Sequence, residues 1–403
     1  MTQRRSSFFN LPMTVFGLGG VTLFINFSSI IIFMVSPFYL TKILGVTQTG
    51  LGLIEGGVEF IAWSTRIFSG IVSDYIGRRK PILTFAYSLT LISRPLFLLV
   101  PNFFGFFIAK SLDRFGNGIQ ATAREALVAD HAPPHLKGAA FGLRQSLSVI
   151  GSILGASLIW CYPINHEHYD LLFIVASCLP LVAIIILLTL VKDSRAQIIS
   201  NSVEHRAFFS TSYFKKLSPD FWRIIAVSAV FSLSNYSGVF LLLHAQDIVN
   251  ADYVVPLVMI LQNLFAMLSA YPIGRLSDRF DRRLLLGIGF SMVIFSGLVL
   301  GSATSVFFVL LGASLWGMHI GITQSLLMAK VADTTSPEIR GTGFGVYFVM
   351  TGSMLLITNF IAGRLSDSFG RHHVFYMSAA LAFAALCFLP FMKSSKKDLF
   401  KEI

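Results

Sequence analysis

Acidic side chains are scarce in this chain: twenty Asp and Glu in 403 residues, against thirty-one Lys and Arg. Charge of either sign makes up 13% of it, while 54% is hydrophobic and the mean hydropathy is +0.72. That poverty of charge excludes an ordinary soluble domain, in which about a quarter of the residues are charged. Cysteine is nearly absent too. Cys161, Cys178 and Cys387 are scattered, with neither a metal-ligand spacing nor an evident pairing, so neither a zinc module nor a disulfide scaffold is expected. No nucleophile elbow or phosphate loop occurs. The pairs His131/His135 and His372/His373 fall in loops without the companions a zinc or catalytic site needs. The expectation is therefore no enzyme, no cofactor and no metal. The amino terminus has a charged leader but no short apolar core ending in a small-residue cleavage site, and its first apolar span is expected to be retained.

What the chain has in abundance is long apolar runs. Twelve of them, each of roughly 19–27 residues, can cross about 30 Å of hydrocarbon. They lie near 14–39, 49–72, 82–100, 103–129, 138–161, 169–191, 222–244, 253–273, 284–301, 305–329, 341–361 and 374–392. Lipid offers backbone groups no water to bond, so these runs must be helices, and barrel strands would be shorter and strictly alternating. The net charge of +11 does not point to nucleic acid, because its placement is one-sided. Numbered from a cytoplasmic amino terminus, one set of loops collects twenty-two of the Lys and Arg and the other only Lys42, Arg364 and Arg371. Such an excess places both termini in the cytoplasm of a multi-pass inner (plasma) membrane protein.

The chain repeats itself. VADHAPPHLKGAAFG, from Val128, and VADTTSPEIRGTGFG, from Val331, are near-copies 203 residues apart. SDYIGRR, from Ser73, and SDRFDRR, from Ser277, form a second pair one residue out of that offset. Both pairs sit at the ends of apolar spans, so the chain reads as a duplicated bundle, a construction common among secondary transporters. The expected division is a six-helix bundle over 1–191, a polar, basic, Ser-rich linker over 192–221, and a second six-helix bundle over 222–403. Gly52, Gly56 and Gly57 on helix 2, like Gly151 and Gly155 on helix 5, fall at spacings that let membrane helices approach closely.

Polar residues inside the spans are concentrated in the first half. On helix 4, Lys110, Asp113, Arg114, Asn117, Arg124 and Glu125 fall within a stripe about 120° wide, which must face other helices or a wet cavity. A charge left in hydrocarbon costs roughly 2.5–3.5 kcal/mol even on a lenient scale. On helix 2, Glu55, Glu59 and Arg66 lie within about 40° of one another. Burial disfavours an ionised carboxyl there and a nearby arginine favours it, a balance that suits a proton carrier. A permanently paired or permanently neutral acid is the competing account. Arg94 on helix 3 and Arg144 with Gln145 on helix 5 add to the set. In the second half, His244, His319 and Asn359 are the polar exceptions in an apolar, aromatic wall that includes Phe231, Tyr236, Phe240, Trp316 and Tyr347. A lone His in a helix is more often a bonded packing residue. An amphiphilic or anionic organic substrate suits this asymmetry better than a bare metal ion.

The run Gly70-Ile-Val-Ser-Asp74-Tyr-Ile-Gly77-Arg78-Arg79-Lys80 resembles the G-x-x-x-D-R/K-x-G-R-R/K loop of the major facilitator superfamily, and Gly274-Arg-Leu-Ser-Asp278-Arg-Phe-Asp-Arg282-Arg283 resembles its second-half echo. Tyr75 and Asp281 depart from the pattern, which would weaken the loop's latching role. Arg114-Phe-Gly-Asn-Gly118 is similar to that superfamily's R-x-x-Q-G motif, associated there with proton transfer. The resemblance covers about 14–392 and is to bacterial members. It implies an all-α membrane fold of twelve helices in two pseudo-symmetric bundles, and a gating loop in which Asp130 meets Arg78 and Asp333 meets Arg282. A plain positive-inside cluster is the alternative for that loop. Gly151 to Gly155 is similar to the G-x-x-x-G-P signature of drug/proton antiporters, but Ala156 replaces the Pro. The function expected is alternating-access secondary transport of a small organic substrate, coupled to protons, with efflux favoured over import of a nutrient or iron chelate. Its partners are then substrate, protons and the lipid bilayer, with no nucleic acid, and a monomer is expected.

Overall fold

The computed structural model describes residues 11–76, 78–100, 102–133, 136–164, 168–193, 217–277, 280–335 and 339–392. Twelve helical spans run through them. The first bundle comprises α1 (Met13–Phe38), α2 (Gln48–Ile76), α3 (Lys80–Leu99), α4 (Phe103–His131), α5 (Lys137–Cys161) and α6 (Tyr169–Leu190). The second begins with a helix in two pieces, α7a (Pro219–Leu233) and α7b (Gly238–Val249). It continues with α8 (Val254–Ser277), α9 (Arg282–Gly301), α10 (Val306–Asp333), α11 (Arg340–Phe369) and α12 (His372–Phe388). Every expected span is thus a helix, and the expected run over 222–244 is the one that breaks.

Helix ends are set by local chemistry. Asn102 caps α4 by accepting from the Gly105 amide at 2.8 Å, and Ser218, followed by Pro219, caps α7a by accepting from Phe221 at 3.1 Å. Asp281 caps α9 through the Arg283 amide at 2.9 Å. Among the described residues ten helices are long and apolar enough to cross a membrane. The two that are not are α2 and α4, which carry the polar stripes.

The residues fall into two compact units. One contains 1–46 and 61–200; the other contains 201–403 together with Thr47–Phe60. The first half of α2 therefore packs with the second unit, a departure from a boundary near 191. Its glycines explain the departure. A side chain at Gly52 would begin 2.1 Å from the Asn359 carbonyl oxygen, and one at Gly363 would begin 2.3 Å from that of Gln48. The backbones of α2 and α11 touch, and only glycine permits that approach.

Within the first unit α1 packs on α5 and α6, and α3 on α4 and α6. Within the second, α7a packs on α11 and α12, and α9 on α10 and α12. The same helix pairs recur six helices apart, as a duplicated bundle requires. Val15, Leu18, Val21, Leu83, Tyr87, Leu127 and Leu187 form the apolar core of the first unit at its basic end. Tyr39, Phe97, Phe106, Tyr169 and Phe173 stack into a ring cluster at its other end.

Candidate functional site

In the first unit the stripe on α4 turns inward, and two separate charge groups form along it. Deeper in, Arg94 is fully buried, and its Nη2 meets Asp113 Oδ1 at 3.0 Å and donates to Ser29 Oγ at 2.9 Å. Its Nε and Nη1 find no acceptor among the described residues. Lys110, one turn earlier, donates to Ser36 Oγ at 3.1 Å. Ser29 and Ser36 both come from α1, so that helix supplies the hydroxyls that replace water around these cations. Arg114 is half-buried on the same helix.

Nearer the basic end, Glu125 is shared by two arginines. Its Oε1 accepts from Arg124 Nη2 at 3.2 Å and Nε at 3.3 Å, and its Oε2 lies 3.3 Å from Arg144 Nε. The buried Tyr87 hydroxyl of α3 lies beside the same arginines. On the rear half of α2, the guanidinium of Arg66 rests on the ring of Trp63, 4.2 Å from its centroid, a cation–π contact. Thus Asp113, Arg124, Glu125 and Arg144 are each drawn into an ion pair. Arg94, a single cation within α3 away from its ends that no periodic pattern singles out, is the centre of the deeper group.

The second unit holds a site that the hydropathy pattern did not mark. Helix 7 unwinds over 234–237, between α7a and α7b. The groups it frees are met by side chains of neighbouring helices. Thr358 Oγ1 donates to the Leu233 carbonyl at 3.0 Å, and Ser378 Oγ to that of Ser234 at 2.6 Å. The Ser237 amide donates to Asn359 Oδ1 at 2.7 Å. Ser237 Oγ donates to Glu55 Oε2 at 3.1 Å, so the buried carboxyl of α2 sits at the start of α7b. Asn235 Oδ1 lies 3.1 Å from His319 Nε2. Tyr236 stacks on Trp316 with ring centres 4.2 Å apart, and both lie beside His319 or Phe375. His319 is therefore a bonded packing residue on one side, yet it is bonded to an unwound segment. Glu59, one turn after Glu55, is half-buried. It belongs with Glu55 to the second unit. Phe240 and Tyr347 are buried in that unit as well.

The charged loops give a correction. Asp130 meets Arg79 at 2.9 Å, while Arg78 is exposed. In the second half Arg282 pairs with Asp333 as expected. Arg79 and Arg282 are 203 residues apart, as are Asp130 and Asp333, so the ion pairs follow the longer repeat. The pairing of Asp130 with Arg78 followed the shorter motif, which is one residue out of register. The physical reason is the α2–α3 turn, where Asp193 accepts from the Arg79 and Lys80 amides at 3.2 and 3.0 Å and fixes where α3 begins. Lys80 and Arg283 repeat the relation, reaching the last carbonyls of α6 and of the segment after α12 respectively. Gly77 and Asp278 lie outside the described residues, as do 194–216 of the linker and the side chains at Gly70 and Asp74.

At the opposite helix ends a further polar cluster stands within the second unit. Asp367 accepts from the amides of Gln48 and Thr49, at 2.9 and 2.8 Å, and from Thr49 Oγ1 at 2.6 Å. It thereby caps α2 from a different helix. Arg371 pairs with Asp247 and donates to Gln48 Oε1. A groove of about 490 Å³ lined by Lys80, Pro81, Thr84, Phe85, Ser88, Leu188 and Asp193 lies outside both charge groups.

Twelve helical spans in two units, with ion pairs buried in one and a broken helix in the other, suit one class: a polytopic membrane transporter. The sequence profile of the Major Facilitator Superfamily matches residues 17–358. The chain belongs to that superfamily. It is 28% identical over 364 residues to the uncharacterized MFS-type transporter MJ1317 of Methanocaldococcus jannaschii, covering 88% of this chain and 89% of that one. It is 24% identical over 232 residues to the quinolone resistance protein NorA of Staphylococcus aureus, covering 56% of this chain and 53% of NorA. Among solved structures, the nucleoside transporter NupG superposes with a TM-score of 0.73 at 14% identity, over 94% of this chain and 98% of NupG. A POT family transporter solved with 5-aminolevulinic acid superposes at 0.78 and 13% identity, over 96% of this chain and 98% of its own. These structural matches speak for the fold. The family and its neighbours are transporters rather than enzymes.

Proposed function

We propose that this protein is a proton-coupled secondary transporter of a small organic solute, working by alternating access in the plasma membrane and exporting its substrate. The observation that carries the coupling is Glu55: a buried carboxyl bonded to Ser237, at the point where helix 7 is unwound. Discontinuous helices are where transporters commonly place substrate and coupling-ion sites, because freed backbone groups and helix ends are available there. A carboxylate at the start of α7b is stabilised by that helix's dipole. On protonation it loses much of that attraction, and the hinge at 234–237 feels the change. Glu59, one turn away on α2, is the second proton site. Arg66, Asp113, Arg114, Arg124, Glu125 and Arg144 supply the electrostatics of the first unit. The loops carrying Gly70, Asp74, Gly77, Arg78 and Arg79, with Asp130, and Asp278 and Arg282, with Asp333, latch the cytoplasmic side. The likeness to NorA favours export, and makes a quinolone the first solute to try.

The test uses inside-out vesicles holding the protein, under an imposed pH gradient acid inside. The wild type accumulates a quinolone. Glu55→Gln and Glu59→Gln each abolish gradient-driven accumulation while still exchanging preloaded quinolone, because the solute site is intact and the coupling is gone. Full gradient-driven accumulation in both variants would remove the proton assignment.

A further inference from the structure

The side chains at the break in helix 7 are hydrogen-bonded, with one exception. Ser234 Oγ donates to the Phe231 carbonyl at 2.6 Å, Asn235 Nδ2 donates to the same carbonyl at 3.2 Å, and Ser237 Oγ donates to Glu55. Tyr236 Oη is buried and has no hydrogen-bond partner among the described residues. The residue is only 4% exposed. Its ring lies on Trp316, with centres 4.2 Å apart and planes at 28°, and meets the edge of Phe375 at 5.2 Å. All of these residues belong to the second unit.

Packing does not account for that hydroxyl. A phenylalanine would keep both ring contacts and leave no buried O–H without an acceptor. This chain uses Phe thirty-nine times and Tyr eleven, so Phe is its ordinary choice for such a position. A buried polar group left unbonded calls for a specific reason, and a bond made in another arrangement of the site is one. The break supplies that arrangement. The α-helical ladder is interrupted over 234–237, so α7b can turn on α7a and carry Tyr236 with it. Trp316 on α10 and Phe375 on α12 lie outside that hinge. A turn there slides the phenol off the indole and uncovers an aromatic face with a hydroxyl beside it.

We propose that Trp316 and Tyr236 form the recognition subsite for a flat aromatic solute with a carbonyl in the plane of its ring: the solute stacks on the indole in place of the phenol, and Tyr236 Oη donates to the carbonyl. This rests on the transport reading above and names the chemical class of the solute. An indole presents a large, rigid face for stacking. A phenolic hydroxyl donates more strongly than it accepts, because its oxygen shares electron density with the ring, so it selects an acceptor. Small-molecule sites are built this way, with apolar walls for shape and a few placed polar groups for orientation. Ser237, the next residue, holds Glu55, so a turn that moves Tyr236 also moves that contact. Solute and proton then act on the same hinge.

The experiment is a thermal-shift titration of the full-length protein in detergent with three bicyclic probes of similar size. They are 1-methyl-4-quinolone, flat with a ring carbonyl; 1-methylnaphthalene, flat without one; and 1-decalone, which has the carbonyl but is not flat. The quinolone raises the melting midpoint of the wild type and the other two do so far less, since a binder of the folded state stabilises by mass action. Without solute, Tyr236→Phe melts at or above the wild-type midpoint, because it removes a buried hydroxyl and no packing. It needs about tenfold more quinolone for the same shift, the effect of one hydrogen bond. Trp316→Leu loses the quinolone shift, and Trp316→Phe, which keeps a ring and guards against misfolding, weakens it. The proposal is overturned if Tyr236→Phe titrates like the wild type, or if its solute-free midpoint falls, which would mean that the hydroxyl is bonded within the fold. It is equally overturned if methylnaphthalene or decalone shifts the midpoint as much as the quinolone, or if the quinolone is silent up to its solubility limit. Flux into proteoliposomes separates this from the broader reading: quinolone flux that is the same in wild type and Tyr236→Phe defeats only the subsite, whereas no saturable flux of any probe defeats the transport reading.

Discussion

At the residue scale the deciding quantity is the cost of charge in a dry interior. Arg94 is tolerated because Asp113 and Ser29 meet it. Breaking a buried pair by removing one partner typically costs about 3–5 kcal/mol, since the other charge is left uncompensated. Asp113→Asn should therefore lower the thermal midpoint of the purified protein markedly. Replacing both partners, as Arg94→Leu with Asp113→Leu, should recover much of the loss, because the expense lies in the orphaned charge. A single variant as stable as the wild type would mean that Arg94 has another counter-charge. Here the sequence could be read a certain distance. The 120° stripe on α4 is legible because periodicity places its members on one face. Which cation meets which acid is not, as Arg79 taking the place expected of Arg78 demonstrates.

At the element scale the informative features are the unwound stretch of helix 7 and the paired glycines of α2 and α11. The Ser237 amide is spared an unsatisfied state by Asn359 Oδ1. Asn359→Leu leaves that donor without its acceptor at a buried break, a loss of about 1–3 kcal/mol. It should speed amide hydrogen exchange at Ser237 and Gly238 well before other parts of α7b. Unchanged protection there would assign the break to other contacts. Gly52→Leu must push α2 away from α11, since the first added atom would already lie 2.1 Å from the Asn359 oxygen. Hydropathy could not mark the break, because Ser234, Asn235, Tyr236 and Ser237 make only a brief polar interruption in a run that is otherwise apolar. Unwinding is decided by acceptors and donors that α11 and α12 bring from more than a hundred residues away.

At the scale of the whole molecule, topology is the property with the clearest test. We propose, from the one-sided distribution of Lys and Arg, that both termini face the cytoplasm, and with them the α4–α5 and α10–α11 loops. The far end of α5 then faces outward, and Cys161 there is exposed. In a variant with Cys178→Ala and Cys387→Ala, a membrane-impermeant maleimide added to intact cells should label Cys161 without permeabilisation. Labelling only after permeabilisation would invert the orientation. The duplication also makes its own point at this scale. Arg79 with Asp130 and Arg282 with Asp333 are the same contact written twice, and so are Lys80 and Arg283 at the ends of α6 and α12.

By itself the sequence determined the environment, the helix count, the orientation expected in the membrane and the twofold repeat. All of these follow from composition and periodicity, which act over one span at a time. Only the tertiary structure decided where α2 divides between the units, that helix 7 opens at 234–237, and how Glu55, Arg94 and Glu125 are partnered. Those outcomes depend on polar groups meeting across helices far apart in the chain, and the energy of a buried charge is set by the neighbour it finds rather than by its own position in the sequence.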